Sequence, residues 1–434
     1  MRTVSKTVIG VDFGTQSARA VLVNAENGEI IYSCRKEYPY NSTPVPAIDC
    51  AENLPCATDY EMTLYELLRN VIPEEYRKTV AGICVDATSL TMVLLAEDGR
   101  ALSELDGWSE AAHARVKLWK YHRAQEKADE ALNLARNLQE PFLGRTGGSI
   151  SCEWMLPKLL EVRDEAPEIY SKIDLAMDLC EFLTFRLTGQ LVRSIGSLSY
   201  KCLWAEDLSF PERTFLNGLR AGFYEEYCHF LRGDVRKPGE CAGMLRSELT
   251  KRWGLPEQIP VATGMLDGHT SLATMGAFEP GDAALIVGTS NVCTVQDRKL
   301  QELKDVCGVA QDGMVTGSCG IDTGQSSTGN MLGWFVEHMA GWQIHREAEE
   351  RKISPHQVLA ERIQKPWENK VIAVDWWSGS RNAPCDLTLR GSMSGLEMDT
   401  KTEDIYLALL QAIACGTGTI LESLSGQGVE IGRV

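Results

Sequence analysis

Val8-Ile9-Gly10-Val11-Asp12-Phe13-Gly14-Thr15-Gln16-Ser17-Ala18-Arg19-Ala20-Val21-Leu22-Val23 is the stretch on which the fold turns. Two apolar arms joined by a short glycine-containing link are the pattern of strand, turn and strand. Asn27-Gly28 supplies the next turn ahead of Ile30-Ile31-Tyr32, so the opening reads as a β-meander. The pattern returns downstream, where Ala283-Ala284-Leu285-Ile286-Val287 leads through Gly288-Thr289-Ser290-Asn291 into Val292-Cys293-Thr294-Val295. A glycine in such a turn lets the backbone approach a bound anion, while successive N–H groups and Thr or Ser hydroxyls donate to phosphate oxygens. Two facing copies would grip a polyphosphate from both sides. Either loop alone is an ordinary hairpin turn; repetition in matching contexts is what points to phosphate. Asp12, at the end of the first strand, is placed to hold a hydrated Mg2+, which binds through one or two carboxylates plus phosphates.

Working outward, Val80 to Asp86 is a third apolar strand and Thr91 to Leu95 a fourth, while Tyr60 to Val71 carries apolar residues at helical spacing. Strands alternating with helices indicate an α/β fold. From Ser109 to Leu187 the pattern turns helical, with Ala111 to Ala135 rich in Ala, Lys, Arg and Glu, and this reads as a helical insertion. The strand signal returns at Val261-Ala262, and a boundary near residue 275 divides the chain into domains 1–275 and 276–434, expected to meet over a cleft. The longest uncharged stretch, Ile405 to Leu421, is broken by Gln411, Gly416 and Gly418 and reads as a buried helix, in which Gly416-Thr417-Gly418-Thr419 serves close packing.

The 434 residues hold 43 Lys and Arg against 60 Asp and Glu, a net charge of −17, with 44% hydrophobic and 24% charged residues. The length excludes a small disulfide-stapled fold, and the acidic balance excludes a general nucleic-acid or membrane-surface role. The 14 cysteines show no Cys-x-x-Cys pair and no zinc spacing, so reduced core thiols and a cytoplasmic location are expected. Neither a Walker loop nor a Gly-x-Gly-x-x-Gly after a strand occurs.

Asp12-Phe13-Gly14-Thr15, Gly264-Met265-Leu266-Asp267-Gly268-His269 and Gly288-Thr289-Ser290 together resemble the FGGY carbohydrate kinases. The likeness to the ribulokinase branch extends through Leu118-Trp119-Lys120, Cys152-Glu153-Trp154, Tyr200-Lys201-Cys202-Leu203-Trp204, Gly324-Gln325-Ser326 and Asp375-Trp376-Trp377-Ser378-Gly379. The resemblance implies two actin-like, ribonuclease-H-type domains with a helical insertion in the first and an active-site cleft between them. It also implies ATP-dependent phosphorylation of a ketopentose, L-ribulose to L-ribulose 5-phosphate, with ATP and Mg2+ as cofactors.

By the same resemblance Asp267 is the base that takes the proton from the sugar hydroxyl, and Ser89, Lys201 and Asp322 bind the sugar. Gly14, Thr15, Gln16, Gly288, Thr289 and Ser290 take the nucleotide phosphates, and Asp12 the metal. From the residues alone, Asp267 reads first as an N-cap of the helix beginning near His269. Asp322 stands where relatives usually carry Glu, and Tyr121 where many carry Asp, two departures that bear on which sugar is preferred. Other sugars of the family (D-ribulose, xylulose, a polyol) and a non-catalytic sugar-binding role remain alternatives. A homodimer is a further alternative to a monomer. Family members continue into a Gly-Gly segment that holds adenosine, and the chain is expected to stop just before it, at Gly426 to Val434.

Overall fold

A computed structural model of the chain describes residues 5–38, 54–364, 368–382, 385–386 and 388–434. It divides into two compact units, Met1–Leu143 with Ile150–Thr274 and Ala310–Cys319, and Gly144–Ser149 with Met275–Val309 and Gly320–Val434.

In the first unit β1 (Thr7–Phe13), β2 (Ser17–Asn24) and β3 (Ile30–Glu37) form the expected antiparallel meander. β4 (Val80–Ala87) lies parallel to β1 on its other side. β5 (Met92–Leu95) leaves this sheet and pairs antiparallel with β6 (Leu175–Asp178), and β7 (Val192–Ser194) pairs parallel with β8 (Asp234–Arg236). With β9 (Cys241–Met244), β10 (Pro260–Ala262) and β11 (Met265–Leu266) the main sheet has the order β3-β2-β1-β4-β10-β9, and β11 also pairs with β4. Along β1, Ile9, Val11 and Phe13 alternate inward and are no more than 2% exposed, joining a core with Leu64, Leu67 and Leu68 of the helix Ala57–Val71. Each such side chain contributes about 1.5–3 kcal/mol on full burial.

A second core, including Ala128, Leu156, Leu160, Phe215 and Tyr227, gathers the helices Gln125–Leu138, Met155–Glu165, Arg213–Leu219 and Phe223–Phe230. This is the helical insertion, corrected at two places. The run from Ala111 makes one 3-10 turn at Ala112–Ala114 and is not α-helical until Gln125, because Lys117 exchanges both backbone hydrogen bonds with Met92 (2.9 and 3.1 Å) and is held extended. The helix Leu179–Thr188 belongs to the sheet's core instead, through Leu179, Phe182, Leu183 and Leu187.

In the second unit β12 (Ala283–Val287) and β13 (Asn291–Asp297) form an antiparallel hairpin. With β14 (Gly308–Gln311) and β15 (Cys319–Gln325) they make a sheet of order β12-β13-β15-β14. The helix Thr402–Gly426 is long and apolar enough to cross a membrane by length and composition, with 33% of its most apolar window buried, so it is less covered than its sequence suggests. Tyr406 and Leu409 seat it in a core with Phe335, Val358 and Leu359. Gly416 within it is a packing glycine, as read: a Cβ there would lie 2.4 Å from Gln325 Nε2 and 2.6 Å from Asp375 Oδ2; Gly418, read the same way, is not one, since a Cβ there would meet nothing within 4 Å.

Candidate active site

The carboxyl ends of three adjacent strands build the site of the first unit. In the register of the sheet Asp12 of β1 lies opposite Asp86 of β4, and Asp86 opposite Met265 of β11. Leu266 ends β11, and Asp267 opens the helix Asp267–Met275. Three carboxylates therefore converge where open α/β sheets bind ligands, beyond the carboxyl ends of parallel strands. Burial, and then the charges of Asp12 and Asp267, hold Asp86 well above the carboxylate range, and its carboxyl group is hydrogen-bonded with that of Asp12.

Asp267 receives the Gly268 N–H at 2.7 Å on Oδ1, and the Ser89 backbone N–H as well. Burial raises its pKa to about 6 against these hydrogen bonds and the Lys201 charge, with the Asp12 charge acting in the same direction as burial. Asp267 is thus both the first residue of its helix and a carboxylate poised near neutrality. Ser89 Oγ is buried without a hydrogen-bond partner. Lys201 is the last residue of the helix Ile195–Lys201. His269 is buried edge-on to Tyr200, with ring centroids 4.8 Å apart.

The Gly14–Gln16 turn begins two residues after Asp12, just past Phe13 at the end of β1. The Gly14 N–H closes it onto Ser17 O at 3.1 Å, so this amide is spent on the turn. Tyr38 OH donates to Gly14 O at 2.9 Å and Trp119 Nε1 to Thr15 Oγ1 at 3.1 Å. The Thr15 hydroxyl still has its own proton to donate.

The second unit repeats the device. The Gly288 N–H closes the β12–β13 turn onto Ser290 O at 2.9 Å, and Gly288 and Thr289 stand exposed at its tip. Behind it, Gly329 N–H and Thr328 Oγ1 donate to Gly288 O at 3.0 and 2.9 Å, while Thr328 N–H and Asn330 N–H donate to Thr289 O, both at 3.2 Å. Asn291, next to the turn, donates through Nδ2 to Gln325 Oε1 (2.7 Å) and Thr417 Oγ1 (3.0 Å). Asp322 lies buried in β15, and its charge, after burial, helps push the Cys293 thiol up to about 12.

The structure thus brings Asp12, Ser89, Lys201 and Asp267 together, with Gly14 to Gln16 adjoining. Gly288 to Ser290 and Asp322 belong to the other unit. Sequence reading missed Asp86 as a member of the site, although Val85-Asp86 repeats the strand-ending pattern of Val11-Asp12. Tyr38 and the Thr328-Gly329-Asn330 brace carried no local signal, because their partners are remote in the chain.

Among the described residues no group of three or more His, Cys, Asp or Glu is arranged to hold a metal. The oxygen-only donors around Asp12 fit Mg2+ of the kind held by one or two carboxylates and by phosphate oxygens.

Comparison with known proteins adds the following. The model of the FGGY family of carbohydrate kinases, N-terminal domain, matches residues 7–274, and that of the C-terminal domain residues 283–434. A ribulokinase of Halalkalibacterium halodurans is 34% identical over 98% of this chain and 78% of its own length. A ribulokinase of Mycolicibacterium smegmatis is 36% identical over 98% of this chain and 77% of its own. In fold the chain is similar to the xylulose kinase from Rhodospirillum rubrum (TM-score 0.74, 20% identity, 99% of this chain and 80% of that one). It is likewise similar to Plasmodium falciparum glycerol kinase with ADP (TM-score 0.76, 16% identity, 98% and 80%).

Proposed function

The chain belongs to the FGGY family of carbohydrate kinases, and from that premise we propose that this ATP-dependent sugar kinase phosphorylates a ketopentose, converting L-ribulose to L-ribulose 5-phosphate. The observation that carries the chemistry is Asp267, a carboxylate raised to about 6 and held by the Ser89 N–H beside a buried Ser89 hydroxyl that lacks a partner. A sugar hydroxyl fills that vacancy, because a polyol both gives and receives hydrogen bonds. The ribulokinase names of the two relatives support the choice of sugar.

In the proposed reaction Asp267 takes the proton of the attacking hydroxyl as its oxygen bonds to the γ-phosphorus, and the bond to the ADP oxygen breaks in line. Phosphoryl transfer asks little covalent chemistry of a protein, so position and charge dominate. Lys201 and Asp322 hold the other sugar hydroxyls. The Thr15 hydroxyl and the Gly14–Gln16 turn take phosphate oxygens in domain 1–275, and the Thr289 and Ser290 amides do so in domain 276–434. Asp12 would hold Mg2+, which supplies neutralisation of the phosphate charge. The reaction is assigned to the cytoplasm.

Release of ADP measured with L-ribulose, D-ribulose, D-xylulose and glycerol tests the assignment, and L-ribulose should give the highest kcat/KM. A best rate with D-xylulose would favour the second reading, a xylulose kinase, which the fold neighbour supports. Glycerol as the best substrate would overturn both.

A further inference from the structure

Two buried charged side chains in the first unit take no part in this chemistry, and both grip the same turn. Leu90, the residue after Ser89, has a φ of 49°, a left-handed backbone that a leucine avoids. The turn is held from both sides. Leu90 N–H donates to Asp178 Oδ2 at 3.0 Å and Thr91 N–H to Asp178 Oδ1 at 3.2 Å. Leu90 O accepts from Lys158 Nζ at 2.9 Å. Both Asp178 and Lys158 are 0% exposed.

Each ion also reaches a second segment. Lys158 Nζ donates to Leu118 O at 2.9 Å and Lys117 O at 3.4 Å, the carbonyls just ahead of Trp119, whose indole holds Thr15. Asp178 Oδ2 accepts from Ser197 Oγ at 2.9 Å, on the helix that ends in Lys201. Asp178 also accepts the Leu179 N–H at 2.8 Å and so caps the following helix. The hydrogen bonds that offset the burial of these charges are thus made to the Ser89 turn, the Trp119 segment and the Lys201 helix. Apolar residues often replace buried ions without loss of stability, so stability alone is a weak reason for either ion.

We propose that Lys158 and Asp178 form a clamp that positions the Ser89 turn, the Trp119 segment and the Lys201 helix for the sugar. The clamp rests on the assignment of Ser89, Lys201 and Asp267 to the sugar pocket. These are positioning residues: they act through the backbone of the segments they hold.

The test uses Lys158→Met, which keeps the length of the stem and removes the ammonium, and Asp178→Asn, which keeps shape and one acceptor. Ser197→Ala removes only the link to the Lys201 helix and keeps the question open to experiment if the first two fail to fold. Calorimetric Kd for L-ribulose, KM for ATP, and amide hydrogen exchange at 88–91, 117–120 and 195–201 are measured in each. The expected result for Lys158→Met and Asp178→Asn is L-ribulose binding weakened roughly tenfold to hundredfold, the range for hydrogen bonds to charged groups. Ser197→Ala should weaken it about two- to tenfold. KM for ATP should change little in Asp178→Asn and Ser197→Ala and rise by less than the sugar Kd in Lys158→Met, whose Trp119 segment braces Thr15, and exchange should accelerate in the segments that each variant releases. Equal losses for sugar and ATP, or unchanged Kd and exchange in folded variants, would overturn the clamp. A wild type that binds no ketopentose refutes the sugar-pocket assignment by itself, and exchange in the variants then decides whether the three segments are clamped together.

Discussion

The Tyr38 hydroxyl donates a 2.9 Å hydrogen bond to the carbonyl of Gly14, so the end of β3 braces the turn between β1 and β2. The ring is fixed separately, 5.1 Å from the Tyr60 centroid and stacked on Phe13 at 6.3 Å. Tyr38→Phe therefore removes the brace and keeps the packing. One neutral hydrogen bond contributes about 0.5–1.5 kcal/mol net, so KM for ATP should rise about two- to tenfold with KM for the sugar unchanged. Steady-state kinetics with each substrate varied in turn checks this, and an unchanged KM for ATP would detach the turn from nucleotide binding.

Asp267 must be ionised to accept a proton, and its pKa stands at about 6. The logarithm of kcat/KM should thus fall with unit slope as pH drops through about 6 and level off above it. Asp267→Asn should lower kcat by roughly 10²–10⁴-fold, the usual contribution of a general base, with sugar KM little changed. A loss under about tenfold would remove Asp267 from this role.

The same group makes a stability prediction of opposite character. Its pKa is raised from 3.8 in the free side chain to about 6 in the fold, so the folded state binds the proton more tightly than the unfolded state does. Folding is not penalised below pH 3.8; the cost of ionising Asp267 grows as pH rises towards 6 and is complete above it. Asp267→Asn should then be more stable than wild type at pH 7.5 by on the order of 1–3 kcal/mol, the difference vanishing near pH 4. Thermal melts at the two pH values decide it.

Gly329 meets the second loop so closely that a Cβ there would lie 2.5 Å from Gly288 O. Gly329→Ala must push the loop away. We expect KM for ATP to rise at least fivefold, about 1 kcal/mol, with sugar binding by calorimetry unaffected. Equal effects on both ligands would count against separate duties for the two units.

Lys201→Ala should weaken L-ribulose use by roughly 1.5–3 kcal/mol in kcat/KM, the range for a hydrogen bond to a charged group. Asp322→Glu, which restores the length usual among relatives, should keep activity and shift preference among ribulose stereoisomers. If Lys201→Ala left kcat/KM unchanged for every ketopentose, the ribulose assignment would fail while the family membership stood.

Both hairpins were legible in the sequence because strand alternation and a glycine turn are local signals, seen at Val8 to Val23 and again at Ala283 to Val295. The helical insertion was legible as composition but not in its limits. Lys117 sits in a stretch of good helix formers and is nonetheless extended, because its backbone pairs with Met92. Asp86 and Asp12 are 74 positions apart and become neighbours only through the parallel register of β1 and β4. Lys158 and Asp178 both fall in the stretch read as helical and carry no local sign of a shared duty, which is visible only once Leu90 O and Leu90 N–H are found between them.

The brace behind the second hairpin also fixes which way its peptide planes point. In a trans peptide the C=O and the following N–H are antiparallel. Gly288 O and Thr289 O are turned onto the amino end of the helix Gly329–His338, so the N–H groups of Thr289 and Ser290 must point the opposite way. The helix has spent its terminal amides on protein and has none left at Thr328, Gly329 or Asn330 for a ligand. Its positive end instead polarises two peptide groups in series, and the partial charge emerges at the tip of the loop, one peptide unit further out than the helix itself reaches.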